Sequence, residues 1–345
     1  DIAVIGAGYV GLTTGTCLAH LGHNVTIADI DEIKVQKLSE GEVTIFEPGL
    51  SGLLTQGIEN GNLKFVVGAT SASRNAAFHF LCLPTPPNPD GSTNMEYFSS
   101  AIEEIKDILP PNSVIVNKST LPVGTASQLK KQIQRTDVEI VSNPEFLSEG
   151  NAVQDFLQPS RIVIGAESQE AASSVAALFK DIDATTQITG TESAELIKHT
   201  ANAFLAMKLT FINEIATLCE LVGANVLDVA EGIGYDPRIG STYLRPGPGW
   251  GGSCFPKDSA SLLQTANKAG FDFELLEKAI TLNQTHLQRT AQKVVGALPQ
   301  GKEPENSKIA ALGLTFKAGT DDLRSSPSLA VIEHLFNLNA RVSAY

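Results

Sequence analysis

The chain of 345 residues begins with a glycine pattern that leaves few folds open to it. Gly6, Gly8 and Gly11 have the spacing G-x-G-x-x-G and lie between an apolar strand-like run and a helix rich in small residues. In that setting the first glycine turns the chain, the second lets the backbone approach a pyrophosphate, and the third allows close helix packing. The first segment therefore predicts one βαβ unit of a dinucleotide-binding domain.

Asp29 ends the second strand of this unit and narrows the choice of cofactor. A carboxylate at that place can bind both ribose hydroxyls of an adenosine and repels a 2′-phosphate, so the pattern favours NAD over NADP. Lys34 is a candidate for the same ribose, with a solvated surface lysine as the equal alternative.

Strand-like and helix-like runs alternate through the first half of the chain. The strand-like runs are 63–67, 77–84, 113–119, 138–144 and 161–166, and a helical pattern covers 94–109. This alternation predicts an α/β fold with a Rossmann-like doubly wound parallel sheet over residues 1–190.

The remaining chain predicts two further domains. Residues 191–298 open with a long helical pattern free of proline and interior glycine, followed by helical patterns at 225–234 and 258–270, which predicts a central helical domain. Residues 299–345 read as strand (308–316), helix (326–340) and strand (341–345), the start of a second Rossmann-like α/β domain that we expect to be truncated.

Charge and cysteine usage exclude several classes of protein. A net charge of -13 argues against tracking a nucleic-acid backbone. No apolar run approaches the ~20 residues needed to span a bilayer, and no targeting signal is recognised, so we expect no membrane partner. The four cysteines lack the paired spacing of a metal site or a disulfide framework, so we expect no metal and a cytoplasmic location.

One cysteine, Cys254, lies in the glycine-rich run "GPGWGGSCFPKD", residues 247–258. Glycine lets a backbone take unusual dihedral angles and press against a ligand, so this loop is a candidate site with an accessible thiol. The alternative is a small buried hydrophobe, which is how a free cysteine usually behaves.

Other polar side chains stand where parallel strands end or on the long helix. Thr85, Thr120, Glu145 and Glu149 follow strands, where open parallel sheets bind ligands, although threonines there often serve only as turn residues. Lys198 and Asn202 are spaced i, i+4 on the long helix and share a face, so both can contact one ligand.

Six motifs together resemble the UDP-glucose/GDP-mannose dehydrogenases. They are "GAGYVGL", "KSTLPVGT", "NPEFLSEG", "ELIKHTANAFLAMKLTFINE", "GPGWGGSCFPKD" and "GLTFKAGTDDLRSSP". The resemblance implies NAD-dependent oxidation of the C6 alcohol of a nucleotide sugar to a carboxylate, with UDP-glucose as the best-matched substrate and GDP-mannose and UDP-N-acetylmannosamine as alternatives. It also implies a homodimer formed through the central helices.

The same resemblance implies a role for each matching residue. Cys254 would form a thiohemiacetal and then a thioester. Lys198 and Asn202 would stabilise the oxyanion, Asp258 and Thr120 would position a water, and Glu145 would be the acid/base of thioester hydrolysis. Cofactor contacts are expected from Gly6, Gly8, Tyr9, Val10, Gly11, Asp29, Lys34, Thr85, Thr120, Glu149, Lys257 and Arg324. Substrate contacts are expected from Glu145, Phe146, Leu147, Lys198, Asn202, Arg238 (towards the neighbouring subunit's substrate), Tyr243, Leu244, Arg245, Gly249, Gly251, Phe316 and Lys317.

Two other classes of protein remain as alternatives. A β-hydroxyacid dehydrogenase would share the first domain and the Lys198/Asn202 pair but needs no cysteine. A catalytically silent NAD-binding or scaffold protein would be expected to lack Cys254, Lys198 or Asp258, and all three are present.

Overall fold

The computed structural model describes all 345 residues, which divide into two units, Asp1–Lys198 and His199–Tyr345. The boundary falls inside the long helix. The first unit holds the following elements in chain order: β1 (Ile2–Ile5), α1 (Tyr9–His20), β2 (Val25–Asp29), α2 (Glu32–Ser39), α3 (Leu50–Glu59), β3 (Leu63–Val67), α4 (Ala69–Ser73), β4 (Phe78–Leu81), α5 (Glu96–Ile105), β5 (Val114–Asn117), α6 (Thr125–Ile133), β6 (Glu139–Ser142), α7 (Ala152–Leu157), β7 (Arg161–Ala166), α8 (Gln169–Ala177), β8 (Thr185–Thr189) and the first turns of α9 (Thr191–Val222).

The first unit is built on one eight-stranded sheet in the order β3-β2-β1-β4-β5-β6-β7-β8. The chain leaves β1 in one direction to form β2 and β3 and in the other to form β4, β5 and β6. The carboxyl ends of β1 and β4 therefore flank a topological switch point, the place where open α/β sheets bind ligands.

Apolar strand residues fill both faces of this sheet. Phe80 belongs to one buried cluster with Val4 and Leu12, whereas the adjacent Leu81 belongs to a second cluster with Ile102 on the opposite face. A sheet covered on both sides needs strands that are apolar throughout, and β1 and β5 are buried along their whole length. The predicted fold class is confirmed.

Two details of this sheet differ from the expectation. The β6–β7 pair is antiparallel, whereas the alternating pattern predicts parallel strands. β8 was not predicted because its sequence "TTQIT" leaves four of five side chains exposed, so it has no apolar signature.

The second unit holds the rest of α9 and the elements α10 (Val226–Gly234), α11 (Phe255–Lys268), α12 (Glu274–Gly296), β9 (Lys308–Ala311), α13 (Pro327–Asn337) and β10 (Arg341–Ala344). Leu287 and Ala291 of α12 pack against Val331 and Leu335 of α13, and β9 pairs in parallel with β10. The strand predicted over 308–316 ends at Ala311, since Gly313 turns the chain with a φ of 91°. No helix has the length and apolar character needed to cross a membrane.

Candidate active site

The glycine turn after β1 has the geometry of a cofactor cradle. A Cβ on Gly6 would lie 2.5 Å from the Cys82 carbonyl oxygen, and one on Gly11 would lie 1.8 Å from the Gly6 carbonyl oxygen. A Cβ on Gly8 would meet nothing within 4 Å. Gly6 and Gly11 are therefore required by the protein's own packing, whereas Gly8 leaves its backbone open to a ligand at the start of α1.

Asp29 is already engaged with this turn. Its Oδ2 accepts a hydrogen bond from the Ala7 amide at 2.8 Å and pairs with the Lys34 ammonium at 3.2 Å. Burial by itself would raise the pKa of Asp29, but the amides of Asp31 and Ala7 and the ammonium of Lys34 together lower it. The Asp29 carboxylate is thus held ionised at the end of β2, where the ribose of a dinucleotide would bind. Lys34, predicted as a candidate for the same ribose, pairs with this carboxylate.

A buried glutamate that the sequence analysis missed ties the glycine turn to the loop after β6. Glu47 is 7% exposed and accepts hydrogen bonds from the Tyr9 hydroxyl, the Gly150 amide at 2.8 Å and the Ala152 amide at 2.7 Å. The Gly150 amide also donates to the Tyr9 hydroxyl at 2.8 Å. Tyr9, predicted to contact the cofactor, thus connects Glu47 to the loop that carries Glu149.

Glu145 and Lys198 form a buried ion pair. Lys198 Nζ lies 2.9 Å from Glu145 Oε1, with side-chain exposures of 3% and 5%. Glu145 Oε2 also accepts the Leu147 amide at 2.5 Å, and Lys198 lies 5.4 Å from the centre of the Phe146 ring. A buried pair of this kind can exchange a proton or stabilise a negative oxygen without prior loss of bulk water. Four predicted residues are therefore brought together.

Thr120 lines a small pocket in the first unit. The pocket walls are Asn117, Ser119, Thr120, Leu121, Ser142, Pro144, Glu195 and Lys198. Thr85 donates its hydroxyl to the Thr120 carbonyl oxygen at 3.2 Å, which fixes the loop between β5 and α6. Asn117 is 2% exposed, and neither atom of its amide has a hydrogen-bond partner within the protein.

Lys118 and Glu195 add two buried charges that were not predicted. Burial lowers the pKa of Lys118 to about 8, and its ammonium donates to Asn143 Oδ1 at 3.0 Å. Burial raises the pKa of Glu195 to about 7. Lys118 opens the motif "KSTLPVGT" and Glu195 stands one helical turn before Lys198, but nothing in either pattern signals burial.

In the second unit, Cys254 differs from the other three cysteines. Cys17, Cys82 and Cys219 are buried, whereas Cys254 is partly exposed. Burial raises the pKa of both Cys17 and Cys82 to about 12, which keeps them as unreactive thiols. Cys254 occupies the N-cap position of α11, where the helix dipole favours a negative charge, and its side chain makes no capping hydrogen bond.

Asp258 lies one turn after Cys254 on α11 and is fully buried. Its Oδ2 accepts the Asn202 amide at 2.6 Å, and its Oδ1 pairs with the Lys257 ammonium at 2.6 Å. The predicted catalytic residues Asp258 and Asn202 are therefore in direct contact. Lys257, predicted to lie near the cofactor, contacts Asp258.

Three of the four glycines before Cys254 are closely packed against other residues of the second unit. A Cβ on Gly249 would lie 2.9 Å from Asn283 Oδ1, one on Gly251 would lie 1.9 Å from the Ser325 carbonyl oxygen, and one on Gly252 would lie 2.8 Å from the Phe316 ring. These three glycines are therefore required by the protein's own packing, and the ligand contacts expected of this loop stay a prediction. Only Gly247 of the four meets nothing within 4 Å.

The buried Trp250 locks the same loop onto two helices. Its indole N–H donates to Thr210 Oγ1 at 2.8 Å, and its backbone amide donates to Asn283 Oδ1 at 2.9 Å. Asn283 returns a hydrogen bond to the Trp250 carbonyl at 2.9 Å. The loop that presents Cys254 is thus rigidly anchored.

The other predicted ligand contacts vary in exposure. Tyr243 has a φ of 62°, in the left-handed region, and its ring lies 6.1 Å from that of Phe255. Leu244 is buried, and Lys317 lies 5.6 Å from the ring of Phe316. The exposed Arg238 and Arg324 pair with Asp236 at 2.6 Å and Asp322 at 2.7 Å, respectively. Arg245 is exposed. The partly buried side chains are Val10, Leu147 and Glu149, of which Val10 and Leu147 pack against the core of the first unit.

The strand order, the glycine turn and Asp29 define the first unit as a dinucleotide-binding domain of the kind that serves oxidoreductases. The chain belongs to the UDP-glucose/GDP-mannose dehydrogenase family. Residues 1–183 match the family's NAD binding domain, residues 192–285 its central domain and residues 310–345 its UDP binding domain. The predictions of an NAD-dependent oxidoreductase and of NAD as cofactor are confirmed.

Individual relatives agree with this assignment. UDP-glucose 6-dehydrogenase of Rhizobium meliloti (strain 1021) is 44% identical over 354 residues, which cover 100% of this chain and 80% of the relative. The solved UDP-glucose dehydrogenase of Pyrobaculum islandicum is 34% identical with a TM-score of 0.92, covering 99% of this chain and 81% of that one. UDP-D-ManNAc dehydrogenase of Pyrococcus horikoshii is 28% identical with a TM-score of 0.92, covering 100% and 82%.

Proposed function

We propose that this chain oxidises UDP-glucose to UDP-glucuronate with two NAD⁺, through a thioester on Cys254. In the overall reaction one alcohol, two NAD⁺ and one water yield one carboxylate, two NADH and three protons. The observation that carries the proposal is Cys254 itself: it is the one partly exposed cysteine, and it stands at the N-terminus of the helix that holds the buried Asp258. Relatives named for UDP-glucose support the choice of sugar.

The first oxidation requires removal of the hydroxyl proton at C6. We assign the proton transfer to a water held by Asp258 and Thr120, and the stabilisation of the developing oxyanion to Lys198 and Asn202. The ammonium of Lys198 and the amide of Asn202 are suitable donors for that oxygen. When bound, NAD⁺ would supply the acceptor for the hydride released in each oxidation.

The second oxidation requires a nucleophile because an aldehyde carbon becomes an effective hydride donor only after addition. The thiolate of Cys254 adds to the carbonyl carbon, a C–S bond forms, and the oxygen takes a proton to give a thiohemiacetal. Loss of hydride and of the hydroxyl proton gives the thioester. Water then attacks the thioester, with Glu145 as acid/base, and the C–S bond breaks to release the carboxylate and the free thiol.

The residues of the first unit fit NAD. Gly8 leaves its backbone open at the start of α1, and Asp29 offers an ionised carboxylate at the end of β2. These residues would hold the pyrophosphate and the adenosine ribose. For the nucleotide sugar we assign Arg245 and Lys317 to diphosphate binding, since cations suit that group.

We further propose that the enzyme is a homodimer through α9. Phe204, Phe211 and Leu218 recur every seven residues along this helix and are 56%, 54% and 52% exposed. Leu221 is 80% exposed on the last turn. An exposed apolar stripe of this length is typical of a subunit interface.

The test compares Cys254→Ser with the matched control Cys219→Ser. The first variant should lose turnover while still binding NAD⁺. The control, whose cysteine is buried on α9, should keep its turnover. A third variant, Glu145→Gln, should accumulate a covalent acyl adduct on Cys254 that intact-mass spectrometry detects. Full turnover in Cys254→Ser would refute the thioester mechanism.

A second candidate substrate is UDP-N-acetylmannosamine. The Pyrococcus horikoshii relative named for UDP-D-ManNAc matches with a TM-score as high as that of the Pyrobaculum islandicum relative. Parallel assays with both sugars decide between them. A β-hydroxyacid dehydrogenase is disfavoured because residues 310–345 match a UDP binding domain.

A further inference from the structure

We propose that Glu195 is a positioning residue of this enzyme, whose carboxylate fixes the loop carrying Thr120 to the helical turn carrying Lys198. The inference rests on the proposed function for the roles of Thr120 and Lys198. Glu195 itself is assigned no contact with substrate or cofactor.

The contacts of Glu195 reach two other elements. Its Oε2 accepts the Gly124 amide at 2.6 Å, and its Oε1 accepts the Ala126 amide at 3.0 Å. The Ser142 hydroxyl, at the end of β6, donates to Oε1 at 3.2 Å. One carboxylate therefore satisfies the amides that open α6 and holds them against α9.

Glu195 and Lys198 are three residues apart on α9, so their side chains share a face of the helix. Both line the small pocket that Thr120 also lines. Thr125 donates to the Pro122 carbonyl within the loop, and Thr85 donates to the Thr120 carbonyl. Glu195 joins Gly124 and Ala126 to α9, so a shift of Glu195 would move the Thr120 wall relative to Lys198. A misplacement of about 1 Å at an active site can lower the catalytic rate by about 100-fold.

Burial and hydrogen bonding have opposite effects on the pKa of Glu195. The residue is 5% exposed, and burial raises its pKa to about 7 despite the three hydrogen bonds that favour the ionised form. Glu192, on the same helix, raises that pKa further, and Lys198 is the cation that shares its pocket. α6 contributes backbone amides, and the nearby Lys118 and Glu145 interact with Lys198.

The ionised form accepts all three donors, whereas a protonated carboxyl would present a hydrogen to one of them. The aligned loop is therefore expected above neutral pH, and loss of alignment is expected as the carboxylate takes up its proton. The activity of the wild type should rise as the pH passes through neutrality.

The experiment uses the whole chain and three variants: Glu195→Gln, Glu195→Asp and the matched control Glu192→Gln. Glu192 lies one turn earlier on α9 and binds Ser127 of α6 at 2.7 Å, so the control removes a charge between the same two helices. We would measure kcat and KM for NAD⁺ and UDP-glucose from about pH 6 to about pH 9.

Glu195→Gln should lower kcat by about tenfold or more and abolish its rise through neutrality. Glu195→Asp, which keeps the charge, should restore part of kcat and keep the pH dependence. Glu192→Gln should keep the wild-type kcat at high pH, with the rise displaced towards lower pH because Glu192 no longer raises the pKa of Glu195. A wild-type kcat in Glu195→Gln would overturn the proposal. So would a lowered kcat with an unchanged pH profile, which would indicate a structural role alone.

A second measurement separates this proposal from the identity of the sugar. Hydrogen exchange of segment 118–126 should be faster in Glu195→Gln than in Glu192→Gln, whether or not UDP-glucose is a substrate. An inactive wild type would contradict the proposed function, while unchanged exchange in this segment would contradict the role of Glu195. If Glu195→Gln fails to fold, the same comparison is made with Glu195→Asp.

Discussion

Replacing two glycines of the first turn by alanine should separate folding from cofactor binding. Gly8 has a φ of -78° and a ψ of -170°, which alanine adopts freely, and a Cβ there would meet nothing within 4 Å. The free energy of unfolding of Gly8→Ala should therefore stay within about 1 kcal/mol of the wild type, because the lower entropy of the unfolded chain offsets the weaker helix cap.

The same methyl group would occupy the space through which the pyrophosphate approaches the backbone. Forcing one methyl into a close contact costs about 1–3 kcal/mol, which weakens binding by about 5- to 150-fold. Isothermal titration calorimetry with NAD⁺ measures that loss directly in a variant that is still folded.

Gly11→Ala is the matched variant with the opposite expectation. Its Cβ would lie 1.8 Å from the Gly6 carbonyl oxygen and 2.9 Å from Cys82 Cβ, so the backbone itself must move. The helix preference of alanine returns about 1 kcal/mol, and we expect a net loss of about 2 kcal/mol or more in the urea-induced unfolding of the first unit. Wild-type NAD⁺ affinity in Gly8→Ala, or wild-type stability in Gly11→Ala, would refute this reasoning.

Three further outcomes follow from the buried charges and the apolar stripe. Glu47→Gln should raise the KM for NAD⁺ several-fold, because one of the backbone amides that donate to Glu47 would then face the NH₂ group of the glutamine. An unchanged KM would show that the loop after β6 does not depend on this residue. The pKa of Glu195 in the folded protein lies above its ordinary value of 4.5. The wild type should therefore lose up to about 3 kcal/mol of stability relative to Glu195→Gln as the pH rises from about 4.5 to about 7. Chemical denaturation across that range measures the difference in stability, and a difference that stays constant with pH would contradict the raised pKa. Phe211→Glu should convert the dimer to a monomer in light scattering, and a dimeric variant would exclude this stripe as the interface.

Local patterns in the sequence predicted the parts of the fold that local interactions determine. The strand–glycine–helix segment around Gly6 and Gly11 and the long helix α9 are examples, because turn geometry and helical periodicity leave their mark on neighbouring residues. β8 left no such mark, since an exposed edge strand needs no apolar alternation.

The charged interior of the first unit could not be predicted in the same way. Glu47, Lys118 and Glu195 are single charged residues, which usually lie at the surface, and their burial depends on backbone amides and side chains far along the chain. The glycines before Cys254 illustrate the same limit. The pattern predicted a backbone that other atoms approach closely, but it could not indicate that Gly251 and Gly252 meet Ser325 and Phe316, more than sixty residues later.

The number of NADH molecules formed per UDP-glucose consumed tests the central claim most directly. The proposed mechanism predicts two NADH per sugar from the wild-type chain, with UDP-glucuronate as the product, because Cys254 carries the aldehyde through a second oxidation. One NADH per sugar, with the aldehyde as the product, would contradict the thioester mechanism and return Cys254 to a structural role.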